Sequence, residues 1–141
     1  SLPEINIAVY GPPSTSGTRD AFVELVMEGP CVTMQAYVSA YPNKDLRKRK
    51  CHTIRSDGKF IEAGENDNLI VQKLRNDVQA LGIFGFSFLE ENHEVIQASV
   101  INQVVPTFDN IVSGSYPVSR PLFIYFKKEH FGLIPQMREF V

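Results

Sequence analysis

This 141-residue sequence lacks several features that would indicate a membrane-spanning, metal-binding or nucleic-acid-binding protein. No apolar run approaches the length needed to span a bilayer, so the sequence predicts no transmembrane helix. The only cysteines, Cys31 and Cys51, form no Cys-x-x-Cys pair, and the three histidines lie far apart, which argues against a metal centre. The net charge of -2 gives no global attraction for nucleic acid or for an anionic membrane.

Catalytic and nucleotide-binding motifs are missing too. A Walker A loop has four residues between its glycines, followed by Lys and then Ser or Thr. Here five residues separate Gly11 from Gly17, and Thr18-Arg19 follows. The same loop lacks the Gly-x-Ser-x-Gly spacing of a nucleophile elbow. Because no nucleophile–base pair is visible either, the sequence predicts a protein that is not an enzyme and that needs no cofactor.

The chain does contain a turn rich in glycine, proline and hydroxyl groups at residues 11–19. It joins an apolar alternating strand at 5–10 to a helix at 17–28. A helix start presents unpaired backbone N–H groups and partial positive charge, which suits a small oxyanion. The candidate anion-binding residues are Thr15, Ser16, Gly17, Thr18 and Arg19. Simple capping of the helix by Ser-Gly-Thr is the alternative interpretation.

Strand and helix patterns alternate along the rest of the chain. The predicted elements are a first helix ended by Gly29-Pro30, a helix or strand at 32–40, strands at 51–55 and 60–62 that could pair as a hairpin, a helix over 67–80 closed by Gly82, a strand over 83–88, two short strands at 95–101 and 104–105, a helix over 108–113 capped by Thr107, a strand over 122–126 and a last helix from Pro135. This order is typical of the α/β class, and we expect a three-layer αβα sandwich with a mixed sheet. The length fits one domain over 1–141.

A basic run at residues 44–50 holds five of the fourteen Lys and Arg residues. Basic runs occur in nucleic-acid sites, yet no aromatic residue interleaves this one and the remaining chain is acidic. A solvated surface is therefore the favoured interpretation. A second polar cluster, Asn66-Asp67-Asn68, is interpreted as a helix cap, with an anion contact as the alternative.

Four segments carry a family resemblance. They are SGTRDAF at 16–22, AGENDN at 63–68, ALGIFGF at 80–86 and GSYPVSRPLFIY at 114–125. In this order they resemble the phosphate-binding proteins of bacterial phosphate ABC transporters, which are periplasmic solute-binding proteins. The resemblance spans nearly the whole chain. It implies one lobe of a type II periplasmic-binding-protein clamshell, with residues 120–141 returning toward the missing first lobe.

The resemblance implies that Ser16, Gly17 and Thr18 donate hydrogen bonds to phosphate oxygens. Some family members place an arginine four residues before that serine, where this chain has Pro12, so Arg19 is expected to supply the charge. The resemblance also implies a periplasmic protein that binds inorganic phosphate and delivers it to a membrane permease. A lobe for another oxyanion such as sulfate, or a module of the same fold that binds no ligand, remain the alternatives.

The resemblance also bears on features that the residues alone leave open. The two cysteines are either free thiols or one bridge, and the implied periplasmic location favours a Cys31–Cys51 disulfide. Arg120, which precedes a proline, is interpreted as a structural or hinge residue. The abrupt start and the apolar end suggest a chain cut from a longer one. Without the first lobe, the run at 122–126 is expected to expose a β edge and to favour self-association.

Overall fold

The computed structural model describes residues 4–137, apart from the side chain of Phe131, and contains a three-stranded parallel sheet. The strands are β1 (Val9–Gly11), β2 (Phe60–Glu62) and β3 (Leu81–Gly82), in the order β2-β1-β3. Because all three run in the same direction, their carboxyl ends meet at one edge of the sheet. The predicted α/β class is confirmed, but this sheet is parallel rather than mixed.

The first helix extends further than predicted. α1 (Gly17–Phe22) leads into a π-helical stretch (Val23–Glu28) and then into α2 (Gly29–Thr33), so the helical run continues through Gly29-Pro30. Proline has no N–H to donate inside an α-helix, and its ring crowds the preceding turn. A π-helix pairs each N–H with a carbonyl five residues back, and here the π-helical stretch ends at Glu28, two residues before Pro30.

Two further helices follow this run. α3 (Gln35–Ala40) shows that the helix-or-strand segment is helical, and α4 (Lys44–Cys51) contains the basic run. The predicted strand at 51–55 is wrong, because Cys51 is the last residue of α4. Cys51 is buried there and forms a disulfide with Cys31. This bond fastens the end of α4 to α2.

The strand at 60–62 exists but pairs differently from the prediction. Instead of forming a hairpin with 51–55, β2 lies parallel to β1, in a register that sets Gly11 beside Glu62. The two strands approach closely, since a Cβ atom on Gly11 would lie 2.6 Å from the Phe60 ring. The first strand is also shorter than predicted, because residues 4–8 form no strand.

The buried core centres on the helix that follows β2. α5 (Asp67–Asn76) begins where predicted, with Asn66 as its N-cap, and ends earlier than predicted. Its Ile70 is completely buried. Gly82 does not close this helix but lies in β3, where an added Cβ atom would be 2.6 Å from Leu74 of α5. The glycine therefore lets the helix pack directly on the sheet.

The strand predicted over 83–88 is wrong, since α6 (Phe86–Glu91) begins within it. Periodicity alone cannot assign so short an apolar run to strand or helix. A contact from a distant part of the chain favours the helix here. The Asp67 carboxylate accepts a hydrogen bond from the Gly85 N–H (3.1 Å), and Gly85 is the N-cap of α6.

Regular structure is sparse after α6. The strands predicted on either side of Asn102-Gln103 reduce to a single bridge between Ile101 and Val104. The two residues between them have positive φ, which is a turn geometry that asparagine tolerates well. α7 (Phe108–Val112) follows and is capped by Thr107, as predicted.

The strand predicted over 122–126 is wrong. Residues 121–127 have no regular secondary structure. Their side chains are largely exposed, with 90% of Leu122 and 89% of Tyr125 accessible to solvent. High β propensity makes a strand only where another strand supplies the hydrogen bonds, and no such pairing forms here among the described residues.

The end of the described chain holds a 3₁₀ helix (Lys128–Gly132), followed by a turn at Pro135. The helix predicted to begin at Pro135 falls mostly on residues 138–141, which lie outside the described residues. Across residues 4–137, no helix combines the length and the apolar character that a bilayer-spanning segment needs.

Candidate functional site

The polar turn between β1 and α1 lies at the carboxyl edge of the sheet. Ser16 is the N-cap of α1, and its side-chain oxygen accepts a hydrogen bond from the Thr18 N–H (3.2 Å). The hydroxyl hydrogen of Ser16 remains available to donate. Within residues 4–137 the Thr18 hydroxyl has no hydrogen-bond partner. Capping and anion binding are therefore compatible at this helix start.

Arg19 is held by three groups of the surrounding structure. Its Nη1 donates to the Glu62 carboxylate and to the Pro12 carbonyl oxygen, the latter at 3.4 Å. The guanidinium carbon lies 5.2 Å from the centre of the Phe60 ring, a cation–π contact. Only 18% of the Arg19 side chain is exposed. The cation that the sequence predicted for the site is thus present at the helix start and fixed in place.

Thr15 also has a carboxylate partner. Its Oγ1 donates a hydrogen bond to Glu65 Oε1 at 2.6 Å. Glu65 follows β2 in the chain, so this bond joins the turn after β1 to the segment after β2. In this arrangement the Thr15 hydroxyl is already engaged, unlike that of Thr18.

Gly17 is contacted by a residue from the far end of the chain. Arg120 Nη2 donates a hydrogen bond to the Gly17 carbonyl oxygen at 3.0 Å. A Cβ atom on Gly17 would lie 3.5 Å from the same nitrogen, which is an ordinary contact distance. Two guanidinium groups, those of Arg19 and Arg120, thus lie at the start of α1.

The sequence interpretation missed Glu62 and Glu65 as neighbours of the candidate site. It placed β2 in a hairpin with 51–55, which would have taken both residues away from the turn. The parallel pairing of β2 with β1 instead brings Glu62 beside Gly11, where the turn begins. The signal that could have found them is the rule that parallel strands present their carboxyl ends at a common edge.

The polar cluster at residues 66–68, after β2, hydrogen-bonds the starts of two helices. Asn66 Oδ1 accepts the Asn68 N–H at 3.0 Å, and the Asp67 carboxylate accepts the Gly85 N–H. These side chains serve the helix starts of α5 and α6. The capping interpretation made from the sequence is confirmed for Asn66.

A second charged cluster joins the first helical run to α4. Glu28 contacts Lys48 at 3.0 Å and His52 at 2.6 Å. The hydrogen bond from His52, followed by that from Lys48, lowers the pKa of Glu28, and the bond to Glu28 raises the pKa of Lys48. The cluster borders a cavity of about 360 Å³ lined by Asp20, Val23, Glu24, Glu28, Lys48 and His52.

This second cluster has no metal-binding arrangement. Among residues 4–137, no three His, Cys, Asp or Glu side chains are grouped so that they could hold a metal ion. Glu28 instead contacts the Lys48 ammonium and the His52 imidazole, which is the pattern of an ionic tie between two helical segments. The turn at the sheet edge is accordingly the stronger candidate for ligand binding.

The chain is similar in sequence to proteins with two different names, SphX and PstS. Protein SphX of Synechococcus elongatus is 33% identical over 135 positions, which cover 92% of this chain and 33% of that protein. The phosphate-binding protein PstS of Staphylococcus haemolyticus is 29% identical over 146 aligned positions, covering 100% of this chain and 38% of that protein. Protein SphX of a Synechocystis species is 30% identical over 145 positions, which cover 99% of this chain and 36% of that protein. The chain therefore spans about a third of the length of these curated relatives.

No solved structure matches the chain. The relatives agree with the likeness to phosphate-binding proteins that the four sequence segments indicated, and that prediction is confirmed. The family model described as a PBP superfamily domain matches residues 1–141. The chain belongs to the PBP superfamily.

Proposed function

We propose that this chain is the phosphate-binding lobe of a solute-binding protein that serves a phosphate ABC transporter. The observation that carries the proposal is the start of α1, where a serine cap, a threonine hydroxyl without a partner among residues 4–137 and a fixed guanidinium meet at the sheet edge. The PstS relative is named for phosphate binding, which supports the choice of anion. The proposed phosphate-binding residues are Thr15, Ser16, Gly17, Thr18 and Arg19.

The proposed capture uses preformed donors. Backbone N–H groups of the first turn point along the helix axis, and the helix dipole favours a negative charge there. The hydroxyls of Ser16 and Thr18 add neutral donors, and Arg19 adds a charged one whose planar fork matches an oxyanion. Gly17 leaves the backbone accessible to a close-lying oxygen. Because these groups are already ordered, little freedom would be lost on binding.

The site on this chain is one side of a clamshell in the proposal. A first lobe would supply the remaining contacts, including a carboxylate acceptor for a phosphate proton. Hinge closure would then enclose the anion for delivery to a membrane permease. The protein would work outside the cytoplasmic membrane, in the periplasm, where a Cys31–Cys51 disulfide is chemically stable. No catalytic step is part of this role.

Calorimetric titration of the intact protein with phosphate and with sulfate tests the proposal. We expect phosphate to bind more tightly than sulfate, and Arg19→Ala to weaken phosphate binding by about 10- to 100-fold, as removal of a charge-assisted hydrogen bond does. Arg75→Ala is the matched control, since it removes an exposed arginine from α5. Equal affinity for the two anions would contradict the choice of phosphate, and no binding of either would favour a non-binding module.

We also propose that the exposed segment at 122–126 contacts a second copy of this chain when the first lobe is absent. The segment presents large apolar side chains that are mostly exposed, including those of Leu122 and Tyr125, which are 90% and 89% exposed. Sedimentation of the isolated chain over a range of concentrations tests this. Concentration-dependent dimers that Leu122→Ser weakens are expected, and a strict monomer at high concentration would contradict the proposal.

A further inference from the structure

Glu62 owes its place beside the candidate site to the sheet register. It is the last residue of β2 and the partner of Gly11, the last residue of β1. The main chains are tied together just beyond, where the Ala63 N–H donates to the Gly11 carbonyl oxygen at 2.9 Å. The Glu62 carboxylate then reaches Arg19, whose Nη1 donates to it. The Arg19 guanidinium at the helix start is therefore already paired with a carboxylate of the protein itself.

The two members of this ion pair are held very differently. The Arg19 side chain is 18% exposed and also bonds the Pro12 carbonyl and packs on the Phe60 ring. The Glu62 side chain is 50% exposed, and within residues 4–137 Arg19 is its only side-chain partner. If the pair separates, Arg19 keeps its remaining supports, while Glu62 turns into solvent at little cost. The carboxylate is thus the member that can leave.

We propose that Glu62 is an internal counter-anion. Its carboxylate pairs with the Arg19 guanidinium in the ligand-free protein and releases it when an oxyanion binds. The inference rests on the proposed function, because it assigns Arg19 to the incoming anion. An oxyanion would have to replace the carboxylate on Nη1 or share the guanidinium with it, and either arrangement opposes binding. Glu62 would thereby lower the affinity of the site while keeping Arg19 oriented when no ligand is present.

The proposal predicts that removing the Glu62 charge tightens binding. In the intact protein, Glu62→Gln keeps the size of the side chain and removes its charge. We expect it to bind inorganic phosphate about two- to fivefold more tightly than the unmodified protein in calorimetry at constant ionic strength, the range set by an exposed ion pair. Glu94→Gln removes the charge of an exposed glutamate that has no ion pair among the described residues, and it should leave the affinity unchanged.

A double-mutant cycle with Arg19→Ala separates this role from a general effect of charge. If Glu62 acts through Arg19, the gain from Glu62→Gln disappears when Arg19 is already alanine. Persistence of the gain in that background would overturn the proposal, as would equal or weaker binding by Glu62→Gln alone. Phosphate binding by the unmodified protein is measured in the same series. Its absence, together with no binding by Glu62→Gln, would overturn the proposed function and this inference together.

Discussion

The first two thirds of the described chain and its last third are built in opposite ways. Up to the end of α6, a parallel sheet, a helix with a buried face and a disulfide connect distant segments. The described residues from 92 onward include the short helix α7, a bridged turn, a 3₁₀ helix and a long irregular stretch with exposed apolar side chains. Both parts contain similar apolar residues. Because buried apolar surface stabilises a fold, we expect the first region to depend on its apolar side chains more than the second.

The two regions should differ most in how much an isoleucine-to-alanine substitution lowers the free energy of unfolding. Ile70→Ala removes a fully buried side chain and should lower the free energy of unfolding by about 2–5 kcal/mol. Ile124→Ala, at a side chain that is 67% exposed, should change it by less than about 0.5 kcal/mol. Urea unfolding followed by circular dichroism measures both. Similar losses would show that residues 122–126 are packed in the protein in solution.

The disulfide offers a second test of the same contrast. It joins residues 20 positions apart, and its removal should destabilise the first region by about 3 kcal/mol in the loop-entropy model. The Cys31→Ser/Cys51→Ser double variant, compared by urea unfolding with the oxidised protein, measures this. A reducing agent should destabilise the unmodified protein and leave the double variant unaffected. No difference between the oxidised protein and the double variant would contradict a stabilising bond.

The smallest effect concerns the ionic tie between the first helical run and α4. His52 and Lys48 lower the pKa of Glu28 below its ordinary value of 4.5. The stability that Glu28 contributes is therefore fully present above pH 4.5 and is lost as the pH falls through the lowered pKa. Thermal melts should show Glu28→Gln slightly less stable than the unmodified protein at pH 6, with the gap closing in acid. For Glu94→Gln we expect no such pH-dependent gap, and a gap for Glu28→Gln that survived in acid would count against the tie.

The sequence predicted the features that depend on neighbouring residues. The caps at Ser16, Asn66 and Thr107 all occur as expected, because a capping side chain bonds a backbone N–H only two or three residues away. The predicted helix starts after these residues are correct for the same reason. Local chemistry was sufficient for these sites.

The predictions that failed depend on partners elsewhere in the chain. Residues 83–88 alternate like a strand, yet a helix starts within them, and the Gly85 N–H at its N-cap donates a hydrogen bond to the Asp67 carboxylate. The stretch at 60–62 is a strand, but its partner is β1 rather than a hairpin neighbour. The contacts of Glu62 and Glu65 with the candidate site follow from that pairing, and for this reason the residue pattern alone did not reveal them.

The hydrogen bond between Arg120 and the Gly17 carbonyl has a consequence for biosynthesis. Its two residues are 103 positions apart, so the ribosome makes the start of α1 long before it makes the arginine that contacts it. Contacts of such large sequence separation require a long loop to close, which slows their formation. The first helix and the sheet are synthesised ahead of this contact. A nascent chain released before residue 120 would carry the turn at residues 11–19 without the hydrogen bond from Arg120.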